Sequence, residues 1–217
     1  CATIRPAMTD SLSGYTGLAV GFLEVNCYLV PSSADGCLYL IDPGAQADRI
    51  IAAARGHDLP ECRILLTHAH VDHISAIPAV AVALGVRHVH LHPDDLPLYR
   101  SPRNELPPLF PALAALLPEP EPYSANCEFR TLPTPGHTRG SVSLYFPRLA
   151  AVFTGDTLFR SGVGRTDLPG GDHHALLRSI RDTLFVLPEA TGVLPGHGPA
   201  STIGRERREN PWVTAVE

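Results

Sequence analysis

The stretch Thr67-His68-Ala69-His70-Val71-Asp72-His73 places three imidazoles and a carboxylate within six consecutive residues, His68 to His73. Neutral imidazole and carboxylate are the side chains that suit zinc, iron and manganese. Burying so many polar groups side by side is costly unless each finds a partner, and a metal ion supplies one partner to all of them. The competing reading is a solvated His-rich turn, and it weakens as the chain is read outward from this point.

Just upstream, Arg63-Ile64-Leu65-Leu66 is a short apolar run that predicts a buried strand delivering the chain into His68. Three further motifs repeat this design. Pro135-Gly136-His137-Thr138 follows a predicted strand ending at Leu132, Thr154-Gly155-Asp156-Thr157 follows Val152-Phe153, and Pro195-Gly196-His197-Gly198-Pro199 follows Val193-Leu194. Loops at strand ends are where rigid scaffolds hold reactive groups. A glycine beside the ligand lets backbone pass close to a metal. His68, His70, Asp72, His73, His137, Asp156 and His197 together exceed one tetrahedral zinc and suit two metals sharing a carboxylate.

Around these motifs the pattern alternates strands and helices. Strands are predicted at Cys27–Val30, Cys37–Ile41, Arg87–Leu91, Cys127–Leu132, Ser141–Phe146, Leu149–Phe153 and Thr191–Leu194. Helices are predicted at Ala45–Arg55, stopped by Gly56, at Ser75–Leu84 with Pro78 in the first turn, and at His174–Leu187 with Asp172 as N-cap. Strands followed by helices in both halves predict two similar halves packed together. Ser101–Pro122 is apolar but punctuated by seven prolines. It reads either as a structural connection or as a lid or substrate-facing wall.

Length and composition narrow the classes. The 217 residues fit one large domain or two small ones, and 44% hydrophobic with 18% charged residues argues against disorder. The net charge of -5 argues against a broad nucleic-acid footprint. All 17 basic residues are arginine. The absence of lysine excludes Schiff-base chemistry and a phosphate-loop lysine. Five cysteines without Cys-x-x-Cys spacing predict reduced, buried thiols and a cytoplasmic location. Opening on Cys1 is read as a processed or trimmed terminus. The chain shows no membrane-length apolar run, so neither a membrane nor a nucleic acid is an expected partner.

The order and types of these residues resemble the metallo-β-lactamase superfamily, whose His-x-His-x-Asp-His motif is matched in full at His68 to His73. That resemblance implies a four-layer αββα sandwich of α/β class, with two mixed sheets face to face and helices outside. It implies that His68, His70 and His137 bind one metal, that Asp72, His73 and His197 bind the other, and that Asp156 bridges. Within the superfamily the chain looks most like the short glyoxalase II-like hydrolases, over roughly Asn26 to Pro211. The residues behind this are Asn26-Cys27-Tyr28, Ile41-Asp42-Pro43-Gly44, Thr154 to Phe159, Gly164 to Asp172, Gly196-His197-Gly198-Pro199, Glu206 and Asn210-Pro211. The implied activity is hydrolysis of small thioesters such as S-D-lactoylglutathione. Two divalent cations, zinc foremost with iron or manganese as alternatives, hold a bridging hydroxide as nucleophile, and Asp72 both ligates and orients it. A single domain is expected, without the C-terminal helical region of the long glyoxalase II enzymes, as a monomer or small homo-oligomer. The long enzymes use lysines to bind glutathione, and none is present here, so the thiol carrier stays open.

A mononuclear-iron persulfide dioxygenase is the alternative within the superfamily, resembled around Gly164-Arg165-Thr166-Asp167; a lactonase or phosphodiesterase comes after it. Arg165 and Asp167 are read as an ion pair bracing the ligands, with an anion contact for Arg165 as the rival. His88 and His90 are read as surface groups and His92 as the cap of the Pro93 turn. The Arg205, Arg207 and Arg208 cluster is read as a solvated face.

Overall fold

Strands β1 (Thr16–Val20), β2 (Val25–Ser32), β3 (Cys37–Ile41), β4 (Cys62–Leu65) and β5 (His88–His90) lie side by side in sequence order. The first three pair antiparallel, and β3, β4 and β5 run parallel. The computed structural model describes residues 14–124 and 127–214, and Cys1 lies outside them. The second half contributes β6 (Arg130–Pro133), β7 (Val142–Phe146) and β8 (Ala151–Gly155), a small hairpin of β9 (Leu158–Phe159) and β10 (Gly162–Val163), then β11 (Gly192–Pro195) and β12 (Ser201–Thr202). Its main sheet has the order β12-β11-β8-β7-β6 and is also mixed, because only β8 and β11 pair parallel.

Period-two alternation sorts the side chains into three apolar layers. Along β2, Tyr28 and Val30 face the second sheet, while Cys27 and Leu29 face helices. The central layer joins Tyr39, Ile41 and Leu65 of the first sheet to Leu144, Phe146, Phe153 and Leu194 of the second. Phe153 sits edge-on to both Tyr28 and Phe146, at 5.0 and 5.4 Å between ring centroids. Burial of each such ring contributes roughly 1.5–3 kcal/mol. Helices α1 (Ala47–Arg55), α2 (Val71–Ile74) and α3 (Ile77–Leu84) flank the first sheet, where Ile50, Ala54, Ile77 and Val80 close one outer layer. Beyond β5 comes the short α4 (Leu96–Tyr99). Helix α5 (His173–Arg178), widening into a π-helical turn at Ser179–Leu184, and α6 (Ile203–Glu209) close the other layer through Leu176, Ile180, Leu184 and Ile203; α7 (Pro211–Thr214) adds Val213. This is the αββα sandwich expected, with both sheets covered on both faces.

Several boundaries differ from the sequence reading. Ser75–Leu84 is not one helix. The first turn forms earlier, at Val71–Ile74, and the chain restarts at Ile77, with Pro78 in the first turn of α3 as predicted. The strand predicted at Leu149–Phe153 begins later: Leu149 closes a 3-10 turn at Pro147–Leu149, Ala150 adopts a left-handed conformation, and β8 begins at Ala151. The region before Cys27 forms the β1–β2 hairpin, whose tip carries Phe22, 77% exposed. His90 is buried and stacked on Tyr123, so it is not a surface group, whereas His88 is only partly covered. His92 does cap its turn, accepting from the Asp94 amide, and Asp172 caps α5 by accepting from Ala175. Cys27 and Cys37 are buried free thiols; Cys62 and Cys127 are only partly buried. Among the described residues, no helix is long and apolar enough to cross a membrane.

Candidate metal centre

Strands β4, β6, β8 and β11 end at one edge of the sandwich, and each hands the chain to a ligand-type residue. His68 lies three residues past β4, His137 four past β6, Asp156 directly after β8 and His197 two past β11. The two sheets join at this edge through the Val142 amide, which donates to the Thr67 carbonyl at 2.8 Å. The short helix α2 carries Asp72 and His73 back over the same edge.

All seven residues singled out from the sequence meet here. The ligating atoms of His68, His70 and His137 lie within 4.8 Å of one another, as do those of Asp72, His73 and His197. His70 Nδ1 and His137 Nε2 are 2.8 Å apart. His197 Nε2 is 3.4 Å from Asp72 Oδ2. Asp156 stands between the groups: Oδ1 is 3.5 Å from His73 Nε2, and Oδ2 is 3.6 Å from both His137 Nε2 and His197 Nε2. His68 Nε2, His73 Nε2 and Asp156 Oδ1 are buried with no hydrogen-bond partner in the protein. Leaving such atoms unpaired is expensive. Cations between them would satisfy all three, so the donor set fits two metals.

Neighbours hold three of the rings in place through the other nitrogen. His73 Nδ1 lies 3.1 Å from Asp42 Oδ2, His137 Nδ1 donates to the Arg165 carbonyl at 2.8 Å, and His197 Nδ1 donates to the Leu23 carbonyl at 2.9 Å. Asp42 also accepts from the Thr67 amide and hydroxyl, at 2.8 and 2.6 Å. Asn26 and Tyr28 fix the His197 loop. The Asn26 side-chain amide donates to the carbonyls of Pro195 and Gly198, and the Tyr28 hydroxyl donates to Pro195.

Electrostatics divide the imidazoles. Burial and neighbouring imidazoles hold His68 well below the ordinary histidine range, and burial with His137 brings His70 down to about 4. Both rings are therefore neutral ligands near pH 7. For His73, burial opposes the proton but is outweighed by Asp156, Asp72 and Asp42, which push it up to about 10. His197 is likewise raised, burial being outweighed mainly by Asp72 and Asp156. Asp72 is held below the carboxylate range because His73 and His197 overcome its burial. A bound cation would replace the protons these groups hold.

Arg165 and Asp167 form a bidentate pair, 2.7 Å on each arm, that points into solvent. The bracing of His137 comes from the Arg165 backbone carbonyl, not from this ion pair. Sequence reasoning passed over two carboxylates. Asp42 enters the sequence reading only within the motif Ile41-Asp42-Pro43-Gly44. Asp95 is 1% exposed and accepts from the Ala69 amide (2.9 Å), the Gly140 amide (2.8 Å) and the Thr138 hydroxyl (2.9 Å). Burial raises its carboxyl, opposed by these three donors. Asn104, from the proline-punctuated segment, donates to the Ala69 carbonyl at 2.7 Å, so that segment touches the ligand loop.

A model of the metallo-beta-lactamase superfamily matches residues 20–197. Hydroxyacylglutathione hydrolase GloC of Haemophilus influenzae is 34% identical, over 91% of this chain and 97% of that protein. Among solved structures, BLEG-1 B3 metallo-beta-lactamase is 36% identical with a TM-score of 0.80, covering 92% of this chain and 99% of its own. TTHA1623, solved in a di-iron-bound form, is 41% identical with a TM-score of 0.79, covering 90% and 98%.

Proposed function

The chain belongs to the metallo-beta-lactamase superfamily and is a metal-dependent hydrolase, and from that premise we propose that it hydrolyses small hydroxyacyl thioesters in a glyoxalase II-like reaction. The observation that carries the two-metal part is the convergence of buried, unpartnered His68 Nε2, His73 Nε2 and Asp156 Oδ1 between two three-residue ligand groups. The thioester part rests on the likeness to GloC.

His68, His70 and His137 would hold one cation, Asp72, His73 and His197 the other, and Asp156 both. Zinc is the first candidate, and the same donors accept iron or manganese; the di-iron form of TTHA1623 makes iron a real contender. Bound there, the cations would make a shared water acidic enough to attack at neutral pH and would polarise the scissile carbonyl. Asp72 has a partly open carboxylate, held below the carboxylate range by His73 and His197, and would accept a hydrogen bond from such a water. Phe159 stands beside His197, at 6.4 Å between ring centroids, and the exposed Phe22 adjoins Leu23, whose carbonyl holds the His197 ring. The Arg165 guanidinium is engaged by Asp167 in an exposed bidentate pair.

Asp156→Ala removes the shared ligand. Metal analysis should give two ions per wild-type chain, S-D-lactoylglutathione should be turned over, and the variant should lose that turnover. Unchanged thioesterase activity in the variant sinks the reading. One iron per chain with oxygen uptake on glutathione persulfide replaces it with a dioxygenase.

A further inference from the structure

Asp95 is buried, carries a carboxylate and lies outside the ligand set, yet it ties together two loops that come from different halves of the molecule. Ala69 sits between the ligands His68 and His70, and its amide donates to Asp95 Oδ2. The Thr138 hydroxyl, next to the ligand His137, donates to the same oxygen, and the Gly140 amide donates to Oδ1. Gly140 approaches so closely that a β-carbon there would run into Asp95. Asn104 Nδ2 holds the other side of Ala69 through its carbonyl.

These bonds are one-sided. The ligands of the second group are held by other partners: His73 by Asp42, and His197 by the Leu23 carbonyl. The hydrogen bonds to the Asp95 carboxylate all run to the loops carrying His68, His70 and His137. Metal–imidazole bonds of about 2.0–2.1 Å tolerate little displacement, so whatever fixes the spacing between the loops fixes the affinity of that position. An acceptor-only group is required, since all three partners donate.

We propose that Asp95 is a positioning residue that sets metal affinity at the His68/His70/His137 position and leaves the Asp72/His73/His197 position unaffected. The inference builds on the two-metal reading above. It is an acceptor bridge between the two halves, and it selects one of the two positions.

Asp95→Asn keeps the shape and turns one oxygen into a donor that faces other donors. Cobalt(II) is titrated into the metal-free protein against a chromophoric chelator, and His137→Ala and His197→Ala identify the two uptake steps. The step that His137→Ala abolishes should weaken by about 10–100-fold in Asp95→Asn, and the step that His197→Ala abolishes should not move. Thr138→Val leaves the carboxylate in place and removes one bond, so it should weaken the same step by less. Asp95→Glu, which retains two acceptor oxygens, should recover part of the loss. A merely structural role would weaken both steps together. Equal weakening of both, weakening confined to the His197 step, or no change in either Asp95→Asn or Thr138→Val overturns the proposal. Should the wild type take up a single equivalent that His137→Ala abolishes, the two-metal reading fails, while Asp95 is still judged by that step.

Discussion

Gly196 leaves no room for a side chain. A β-carbon there would collide with Asp156 Oδ1 and the His73 ring, the two groups proposed to face one cation. Gly196→Ala is therefore expected to push Asp156 off its position and lower metal content well below that of the wild type. Its thermal midpoint in chelator should change less than its metal content. Elemental analysis of the purified variant checks this, and wild-type occupancy would refute the steric argument. The residue scale also shows what a sequence can display. His137, Asp156 and His197 were legible because each combines a ligand-type side chain with an adjacent glycine at a strand end. Asp95 was not, because two of its three donors are backbone amides, 26 and 45 positions away, which have no sequence signature, and the third is a threonine hydroxyl 43 positions away. Asp42 escaped for a similar reason. It orients His73 from 31 positions upstream, inside a stretch that reads as an ordinary Asp-Pro-Gly turn.

At the scale of elements, the β9–β10 hairpin begins two residues after Asp156 and carries Phe159 beside His197. It has only two residues per strand, too few to be stable alone. Helix α6 holds it. Glu206 accepts from the Ser161 amide at 2.8 Å, and Asn210, just past the helix, donates to the Gly162 carbonyl at 3.0 Å and to Glu206 at 2.9 Å. Both side chains are fully buried. Asn210→Ala removes a donor to the Gly162 carbonyl and one of the two donors to Glu206 Oε2, which keeps the Ser161 amide, and should cost about 1–3 kcal/mol. Urea unfolding should show the loss as a lower midpoint at unchanged slope; an unchanged midpoint would mean that the hairpin is held some other way. Both residues stood out as part of the resemblance, but what they hold did not, since the hairpin is too short to leave a periodic pattern. The proline-punctuated segment behaved similarly. Its contact with the ligand loop runs through Asn104, a polar residue among the prolines and leucines that drew attention.

Across the whole molecule, the ligands straddle the sandwich: His68, His70, Asp72 and His73 belong to the first half, and His137, Asp156 and His197 to the second. Alternating strands and helices had already implied two similar halves, and the two five-stranded sheets agree with that. The motif order located the shared edge, but the cross-half bonds through Val142 and Asp95 required the structure. Cations held as proposed would act as staples, because unfolding either half would destroy both positions. Metal should therefore raise the stability of the entire chain, and not of one sheet alone. At free metal 100 times the dissociation constant, linkage gives about 2.7 kcal/mol for one position if the unfolded chain does not bind. The halves also share an apolar layer in which Phe153 contacts Tyr28, so the metal-free chain should still unfold in one transition. Calorimetry with chelator and with added metal tests both points. The expected record is one peak in each case, shifted upward by metal. Two resolved peaks in chelator would mean that the cations, rather than the shared core, couple the halves; a single peak indifferent to metal would mean that the ligands do not hold cations across the interface at all.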